Sequence, residues 1–178
     1  RHHDDSQPLT WFDAEIWGDV ASGELLKTIQ YDPEKVEKVR VDASETAKKY
    51  NVVFAMNTDY YTYRLGSKNG RPIGLVIRDG QIRYEKPYTK ATNNFPNLDT
   101  LAFYPDGSMD VHASYELTGQ EYLDRGAYMV YSFGPYLIRD GVLNAHLEDV
   151  STSRQPRCAL GMIEPGHYVA IIAEGRLK

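Results

Sequence analysis

Asn57 and Asp59 are the first side chains along the chain whose type and position suit contact with a ligand. They follow the apolar run 52–55, which is too short for a lone helix and predicts a strand buried on both faces. Such a strand fixes the backbone of the residues that follow it, while the loop leaves their side chains free. The alternative is that both residues satisfy local backbone donors, as Asx residues do in turns. On these residues alone, the turn interpretation is favoured.

Two arginines, Arg154 and Arg157, lie in the polar segment 151–157 and could bind an anion. Guanidinium groups bind phosphate through charge-assisted hydrogen bonds worth about 1.5–3 kcal/mol, and a bidentate contact adds geometric specificity. The alternative is that both arginines are solvated loop residues. Composition alone favours that alternative.

Glu174 and the pair Gly134-Pro135 are further candidates. Glu174 follows the apolar, β-branched run 167–173, which predicts a buried strand, so its backbone leaves the sheet at a fixed point, as that of Asp59 does. Gly134-Pro135 is expected to shape the backbone beside a pocket, because glycine permits close approach to a ligand. A structural turn is the other interpretation of this pair, and the two are compatible.

The histidines and glycines of the sequence indicate no metal ion and no cofactor. His112, His146 and His167 lack the spacing of metal ligands. We interpret them as surface or hydrogen-bonded structural residues, although His112, beside a predicted hairpin, could approach the site. No glycine-rich loop has the Walker or Rossmann spacing.

The chain has 178 residues, of which 42% are hydrophobic and 25% are charged, as expected for one globular domain. Its formal net charge of -5 argues against nucleic acid as a partner, although a local arginine could still bind a small anionic substrate. The single cysteine, Cys158, excludes an internal disulfide. No apolar run is long enough to span a membrane.

Strand and turn signals dominate the chain. Asp-Gly turn signals at Asp79, Asp106 and Asp140 each follow a strand-like run and indicate successive hairpins, and their irregular spacing excludes a solenoid repeat. The predicted strands are 9–17, 25–31, 52–55, 72–77, 81–84, 99–104, 109–113, 127–133, 136–139 and 167–173, and the predicted helices are 42–50 and 117–125. We therefore predict an α+β fold of mixed, largely antiparallel β-sheets with a few peripheral helices.

Four blocks of the chain, in the same order, resemble the phosphodiester glycosidase family. They are NVVFAMNTDYYTYRLGSKNGRPIGLVIRDGQI at 51–82, LAFYPDG at 101–107, SFGPYLIRDG at 132–141 and SRQPRCALGMIEPGHYVAIIAEGR at 153–176. The family includes the mammalian uncovering enzyme of the mannose 6-phosphate pathway and many bacterial proteins associated with exopolysaccharide. The resemblance implies hydrolysis of a sugar 1-phosphodiester, which releases the sugar and exposes a phosphomonoester on a glycan or related cell-envelope polymer. It also implies a phosphorylated carbohydrate as substrate and an extracellular or cell-surface location.

This resemblance implies roles for the candidate residues. Asp59 and Glu174 are expected to be the catalytic carboxyls, which divide the acid role from the base or nucleophile role beside the scissile sugar bond. The residues expected to bind substrate are Asn57, Gly134, Pro135, Arg154 and Arg157. Arg157 matches the family arginine that precedes a small residue and a glycine, whereas Arg154 matches a less firmly fixed position.

The chain departs from the family pattern in two places. The sequence MNTDYY at 56–61 lacks the glycine that many relatives have after the asparagine, so the backbone at Thr58 is expected to differ. Relatives continue after the last strand into a helix and an Asn-Leu-Asp-Gly-Gly segment, whereas this sequence ends at Lys178. We therefore expect a frayed segment or tag remnant at 1–8 and one domain at 9–178 that lacks the family's C-terminal segment. That segment, or a second polypeptide, is expected to pack against the last strand.

A second function remains open for the same fold. The chain could be a non-catalytic carbohydrate-binding or exopolysaccharide assembly protein, an alternative that the missing C-terminal motif makes plausible. Hydrolysis of a sugar phosphodiester separates this alternative from the enzyme.

Overall fold

A computed structural model describes residues 1–23, 26–28, 42–60, 73–86, 98–114, 116–147 and 155–175 of the chain. These residues form two α-helices, α1 (Ala43–Tyr50) and α2 (Gly119–Asp124), and the strands β1 (His2–Asp4), β2 (Leu9–Trp17), β3 (Gly74–Arg78), β4 (Gln81–Lys86), β5 (Thr100–Phe103), β6 (Met109–His112), β7 (Met129–Ser132), β8 (Ile138–Arg139), β9 (Val142–Leu143), β10 (Arg157–Glu164) and β11 (His167–Ala173). The predicted α+β fold with largely antiparallel sheets is confirmed. Neither of these two helices has the length and apolar character needed to cross a membrane.

The first sheet contains four antiparallel strands in the order β1-β2-β11-β10. The alternating sequence of β2 explains its two faces, since Ile16 packs into the core while Trp17 is 68% exposed. β11 pairs with β2 along one edge and with β10 along the other. Both edges of the last strand are therefore paired, whereas Ile171 and Ile172 on it remain 40% and 44% exposed.

The second sheet contains five antiparallel strands in the order β4-β3-β7-β5-β6. Asp79 and Gly80 form the turn between β3 and β4 and have positive φ angles of 51° and 66°, as a type I′ hairpin turn requires. The central strand β7 is buried along its whole length. A separate two-stranded hairpin, β8 and β9, follows it in the chain.

Among the described residues, the two larger core clusters lie on the two faces of the second sheet, and a third, smaller cluster consists of Tyr60, Ile73 and Leu98. Between the two sheets, Phe103, Met129 and Tyr131 pack against Tyr168 of the first sheet, and the rings of Phe103 and Tyr168 have centroids 5.9 Å apart. On the opposite face, α2 packs on the sheet through Tyr122, which is fully buried. The fold therefore has three layers, made of a sheet, a second sheet and a helix.

Both predicted helices are present, and polar side chains explain where each begins. Asp42 accepts hydrogen bonds from the backbone N–H groups of Ser44 (2.8 Å) and Glu45 (3.2 Å) at the start of α1. Thr118 and Glu121 form a capping box at the start of α2. These contacts satisfy backbone N–H groups that have no partner within the helix.

The apolar run at 52–55 is not a strand, contrary to the prediction. Asn51 ends α1 in the left-handed conformation, with φ of 50°, and the residues that follow it up to Tyr60 form no strand. Val53 is fully exposed, whereas Val52 and Phe54 are half-buried. No strand of the described residues pairs with this run, so it is covered on one side instead of lying inside a sheet.

Two other segments differ from the prediction. His2–Asp4 lies in the segment predicted to be frayed, but it pairs with β2 as an edge strand. Arg157 is the first residue of β10 and not a loop residue. The strand pattern of β10 is hard to recognise, because it begins with a charged residue and contains Gly161 at its centre.

Candidate functional site

The carboxylate of Asp59 is held at the end of β7. Its Oδ1 accepts a hydrogen bond from the backbone N–H of Ser132 (3.1 Å), and its Oδ2 accepts one from Nη2 of Arg78. The next residue, Tyr60, donates its backbone N–H to the carbonyl oxygen of Ser132 (2.8 Å). Both backbone groups of Ser132 therefore bind the segment 59–60.

Arg78, the last residue of β3, is a buried cation that is only 6% exposed. Its Nη1 donates to the carbonyl oxygens of Ile77 (2.8 Å) and Val130 (2.6 Å). The guanidinium carbon lies 4.0 Å from the centre of the Tyr131 ring. A charge in such a position requires a partner of opposite sign, and Asp59 supplies it.

Opposing effects act on the pKa of Asp59. Burial raises this pKa above the ordinary value of an aspartate and outweighs the Arg78 charge and the Ser132 N–H, which lower it. The side chain keeps 21% of its surface exposed, so solvent contacts it. A carboxyl in this setting suits proton transfer, although the same contacts also explain Asp59 as the structural counter-ion of Arg78.

Gly134 and Pro135 form a fixed loop directly after β7. The peptide bond between them is cis, and Gly134 has φ of 70°, a conformation that favours glycine. Buried Asp99 holds the loop on both sides, because its carbonyl oxygen accepts from the N–H of Phe133 (3.1 Å) and its carboxylate accepts from the N–H of Tyr136 (3.0 Å). Burial raises the pKa of the Asp99 carboxyl, and its backbone donors oppose this.

Arg157 and Glu174 lie at adjoining ends of β10 and β11. The strand register pairs Arg157 with Ala173, the residue before Glu174. The backbone N–H of Glu174 donates to the carbonyl oxygen of Thr10 in β2 (2.9 Å), and Nη1 of Arg157 donates to the carbonyl oxygen of Pro156 (3.2 Å). Both residues are exposed, so an anion can reach the guanidinium and a substrate can reach the carboxyl.

Gly175 allows the two chain segments that carry these side chains to cross. A Cβ atom at Gly175 would lie 2.0 Å from the carbonyl oxygen of Gln155 and 2.6 Å from the nitrogen of Pro156. The segment that leads into Arg157 therefore passes directly over the residue that follows Glu174. Only glycine permits this approach of two backbones.

The topology places Asp59 and Arg157 at corresponding ends of their sheets. At the other end the two sheets are joined, because the N–H of Gly166 (3.0 Å) and the hydroxyl of Tyr168 (2.7 Å) both donate to the carbonyl oxygen of Gly107. Gly107 lies in the turn between β5 and β6, and Gly166 lies in the turn between β10 and β11. Asp59 binds Ser132, which pairs with Thr100 at the start of β5, and Arg157 is the first residue of β10. Both residues therefore lie at the ends of the strands opposite to the Gly107 contact.

The structure arranges the predicted site residues in two groups. The β7 group, at the end of β7, consists of Asn57, Asp59, Gly134 and Pro135. The β10–β11 group, at the adjoining ends of those strands, consists of Arg157 and Glu174. Asn57 belongs to the first group by its position in the chain, as an exposed residue two positions before Asp59. Arg154 lies outside the described residues.

His112 belongs to a separate network on the edge strand β6. Its Nε2 lies 3.1 Å from Oδ2 of Asp110, and its Nδ1 lies 3.1 Å from Oε1 of Glu116. Nη1 of Arg139 donates to Oε2 of Glu116 (2.7 Å), and the bonds from Arg139 and His112 lower the pKa of Glu116 to about 2. Both ring nitrogens of His112 lie within hydrogen-bond distance of a carboxylate, which fits the interpretation of His112 as a hydrogen-bonded structural residue. In the described part of the chain, no three His, Cys, Asp or Glu side chains are grouped as metal ligands.

The residues that hold the β7 group in place carry no recognisable motif. They are Arg78, Asp99 and Ser132. Strand alternation gives one usable signal, because Val76 and Arg78 share a face of β3 and Val76 is buried. An arginine at an inward position of an apolar strand predicts a buried acidic partner. The contacts of Asp99 and Ser132 join residues distant in the sequence and leave no such signal.

Comparisons with known proteins bear on this arrangement. A sequence model described as phosphodiester glycosidase matches residues 50–178 and so includes both groups. The SPbeta prophage-derived uncharacterized protein YomE of Bacillus subtilis (strain 168) is similar to the chain, with 27% identity over 135 residues. That alignment covers 73% of this chain and 19% of YomE, so the chain spans a small part of its relative's length.

Proposed function

Because the chain belongs to the phosphodiester glycosidase family, we propose that it hydrolyses a sugar 1-phosphodiester. The bond between the anomeric carbon and the phosphate oxygen breaks, the sugar is released, and a phosphomonoester remains on a glycan or related cell-envelope polymer. The observation that carries this proposal is the family match over residues 50–178, which spans the β7 group and the β10–β11 group.

In this proposal Arg157 binds the substrate phosphate. Arg157 is exposed, a guanidinium binds phosphate oxygens through charge-assisted hydrogen bonds, and its charge stabilises the negative charge that develops as the phosphate leaves. Asn57 and Arg154 are further substrate ligands. Gly134 and Pro135 allow the substrate to approach the backbone after β7.

Asp59 and Glu174 are the carboxyls of the proposed reaction. In one alternative, one carboxylate accepts a proton from a water molecule while the water oxygen bonds to the anomeric carbon. In the other, that carboxylate itself bonds to the anomeric carbon, and water then releases the sugar. The other carboxyl donates a proton to the leaving oxygen or stabilises the positive charge on the sugar, and the electrons of the broken bond go to the phosphate. The raised pKa of Asp59 supports its assignment to proton exchange.

The substrate class also determines where we propose that the protein acts. A phosphorylated glycan or cell-envelope polymer is met at an extracellular or cell-surface location. The proposal also includes a partner, a further segment or second polypeptide that packs against the last strand.

One observation favours a second candidate function. Both carboxylate oxygens of Asp59 already accept hydrogen bonds, one of them from a buried arginine. An aspartate whose carboxylate is occupied in this way suits a non-catalytic carbohydrate-binding or exopolysaccharide assembly protein on the same fold.

The deciding experiment measures hydrolysis of two probes, a sugar 1-(methyl phosphate) and a UDP-sugar. We expect the wild-type protein to release free sugar together with an equal amount of methyl phosphate or UDP, detected by chromatography. Glu174→Gln should lower turnover by about 100-fold or more, the range for loss of a general acid or base. Its melting temperature should stay the same, because Glu174 is exposed.

The outcomes separate the two candidate functions. Binding of the sugar phosphate without release of either product would favour the carbohydrate-binding protein. Normal turnover by Glu174→Gln would remove Glu174 from the catalytic pair. A glycosidase also leaves the phosphate on the non-sugar product, so release of inorganic phosphate or of a sugar phosphate would contradict the proposed bond cleavage.

A further inference from the structure

Arg78 contacts one member of the β7 group, Asp59, and also binds the carbonyl oxygens of Ile77 and Val130 and the ring of Tyr131. We propose that Arg78 is a positioning residue, which holds Asp59 and the backbone leading to Gly134 in the arrangement that hydrolysis needs. This inference rests on the proposed function. The contacts of Arg78 also predict measurable effects that require no turnover.

The guanidinium of Arg78 is itself held on several sides. Nη1 is bound to the carbonyl oxygens of Ile77 and Val130, at 2.8 and 2.6 Å, and the group lies 4.0 Å from the centre of the Tyr131 ring. These contacts come from two neighbouring strands, β3 and β7. The other terminal nitrogen, Nη2, therefore presents its N–H to the Asp59 carboxylate in one direction only.

Asp59 connects Arg78 to the residues that begin the loop after β7. Its Oδ1 accepts the N–H of Ser132, while the N–H of Tyr60 donates to the carbonyl oxygen of the same residue. Gly134 follows two positions later, so the backbone that we assign to the substrate begins at a residue held by Asp59. A change in Arg78 should therefore alter the carboxyl and the loop together.

Lysine cannot reproduce this arrangement. The planar fork of arginine places one nitrogen against two carbonyl oxygens and the other against the carboxylate at the same time, whereas an ammonium is a single compact charge on a flexible stem. Arg78→Lys therefore keeps the positive charge and loses the geometry. Arg78→Met loses both and leaves Asp59 without its counter-charge.

The first test follows the Asp59 carboxyl directly, by carbon-detected NMR titration of the wild-type protein, Arg78→Lys and Arg78→Met. Removal of the nearby positive charge stabilises the protonated form, so Arg78→Met should move the titration of Asp59 to higher pH. Arg78→Lys should move it less. Arg83→Lys, at an exposed position of the adjoining strand β4, is the matched control and should leave it unchanged.

The second test uses kinetics. Misplacement of a reacting group by about 1 Å can cost on the order of 100-fold in rate, so Arg78→Lys should lower kcat by roughly 10- to 100-fold with little change in KM. In an Asp59→Asn background the same substitution should have no further effect on kcat, because the residue through which it acts has been neutralised. Circular dichroism and melting curves confirm that each variant is folded at the assay temperature.

Each outcome decides the inference. A shifted Asp59 titration together with a kcat effect that disappears in Asp59→Asn supports it. Wild-type kcat and titration in a folded but less stable Arg78→Lys would overturn it, since Arg78 would then serve stability alone. If the wild-type protein hydrolyses neither probe, the proposed function has failed. A shifted titration then still supports the coupling of Arg78 to Asp59, whereas an unshifted titration overturns that coupling as well.

Discussion

At the scale of single residues, Asp59 has two roles, as the counter-ion of Arg78 and as a proposed catalytic carboxyl. A substitution of Asp59 therefore changes stability and turnover at the same time. Asp59 neutralises Arg78, which is 6% exposed. Breaking a buried ion pair by removing one partner typically costs about 3–5 kcal/mol, because the other charge is left unpaired. Asp59→Asn must therefore be assayed per folded molecule and well below its melting temperature. Exposed Glu174 has no such complication, which makes Glu174→Gln the cleaner test of catalysis.

Arg157→Lys tests the proposed phosphate contact. The substitution keeps the charge and loses the planar fork, so the dissociation constant for a sugar 1-phosphate should rise about tenfold, the equivalent of about 1.4 kcal/mol, measured by isothermal titration calorimetry. The free energy of unfolding should change by less than about 0.5 kcal/mol, because the side chain is exposed. Arg83→Lys on β4 provides the control. Equal affinity in both variants would remove Arg157 from the phosphate site.

At the scale of elements, a side chain replaces part of the backbone pairing between β3 and β7. Ser132 Oγ accepts from the N–H of Leu75 (2.8 Å) and donates to the carbonyl oxygen of Leu75 (2.8 Å). The opposite strand must leave room for it. Gly74 does so, because a Cβ there would lie 2.7 Å from both Cβ and Oγ of Ser132. The serine that binds Asp59 is thus held from two sides.

Gly74→Ala should be far more damaging than an alanine at another glycine of the same hairpin. Gly74 and Gly80 both have positive φ, at 82° and 66°, but nothing lies within 4 Å of a Cβ at Gly80. Gly80→Ala should cost about 1 kcal/mol of backbone strain, and Gly74→Ala about 2–4 kcal/mol, because a steric clash is added. Urea unfolding measures both. Equal losses would show that Ser132 moves away without cost.

The elements that could be predicted from the sequence are those whose pattern is local. β2 and β11 were recognised within their observed bounds, since their apolar residues alternate or run without interruption between turn residues. The run 52–55 looks the same locally, but whether such a run becomes a strand depends on a neighbouring strand, which the sequence does not show. The pairing of Arg78 with Asp59 is also tertiary, so only the candidate carboxyl was identified and its partner was not.

At the scale of the whole molecule, acidic side chains make the stability depend on pH. The chain carries 25 Asp and Glu residues against 20 Lys and Arg, and hydrogen bonds lower the pKa of several carboxyls. Glu116 has the best-defined shift, from 4.5 to about 2, caused first by its bond from Arg139 and then by its bond to His112. These bonds connect His112 of β6 with Arg139 of β8. β6 and β8 belong to different sheets, and no strand pairing of the described residues connects them.

The Glu116 contribution should be lost on the acidic side only. A carboxyl with a lower pKa in the folded state stabilises the fold fully above its unfolded value, here 4.5, and loses that contribution as the pH falls toward about 2. Glu116→Gln should therefore reduce the free energy of unfolding at pH 7, and the difference from the wild type should shrink between pH 5 and pH 3. Because the side chain is 39% exposed, solvent screens the pair and the difference should not exceed about 1 kcal/mol.

Urea unfolding curves across that pH range give the difference directly, and Arg139→Gln provides the internal control. Arg139 is the largest cause of the lowered pKa, so in an Arg139→Gln background the effect of Glu116→Gln should vary much less with pH. A difference that stays constant from pH 7 to pH 3 would mean that the contribution of Glu116 to stability does not depend on its ionisation.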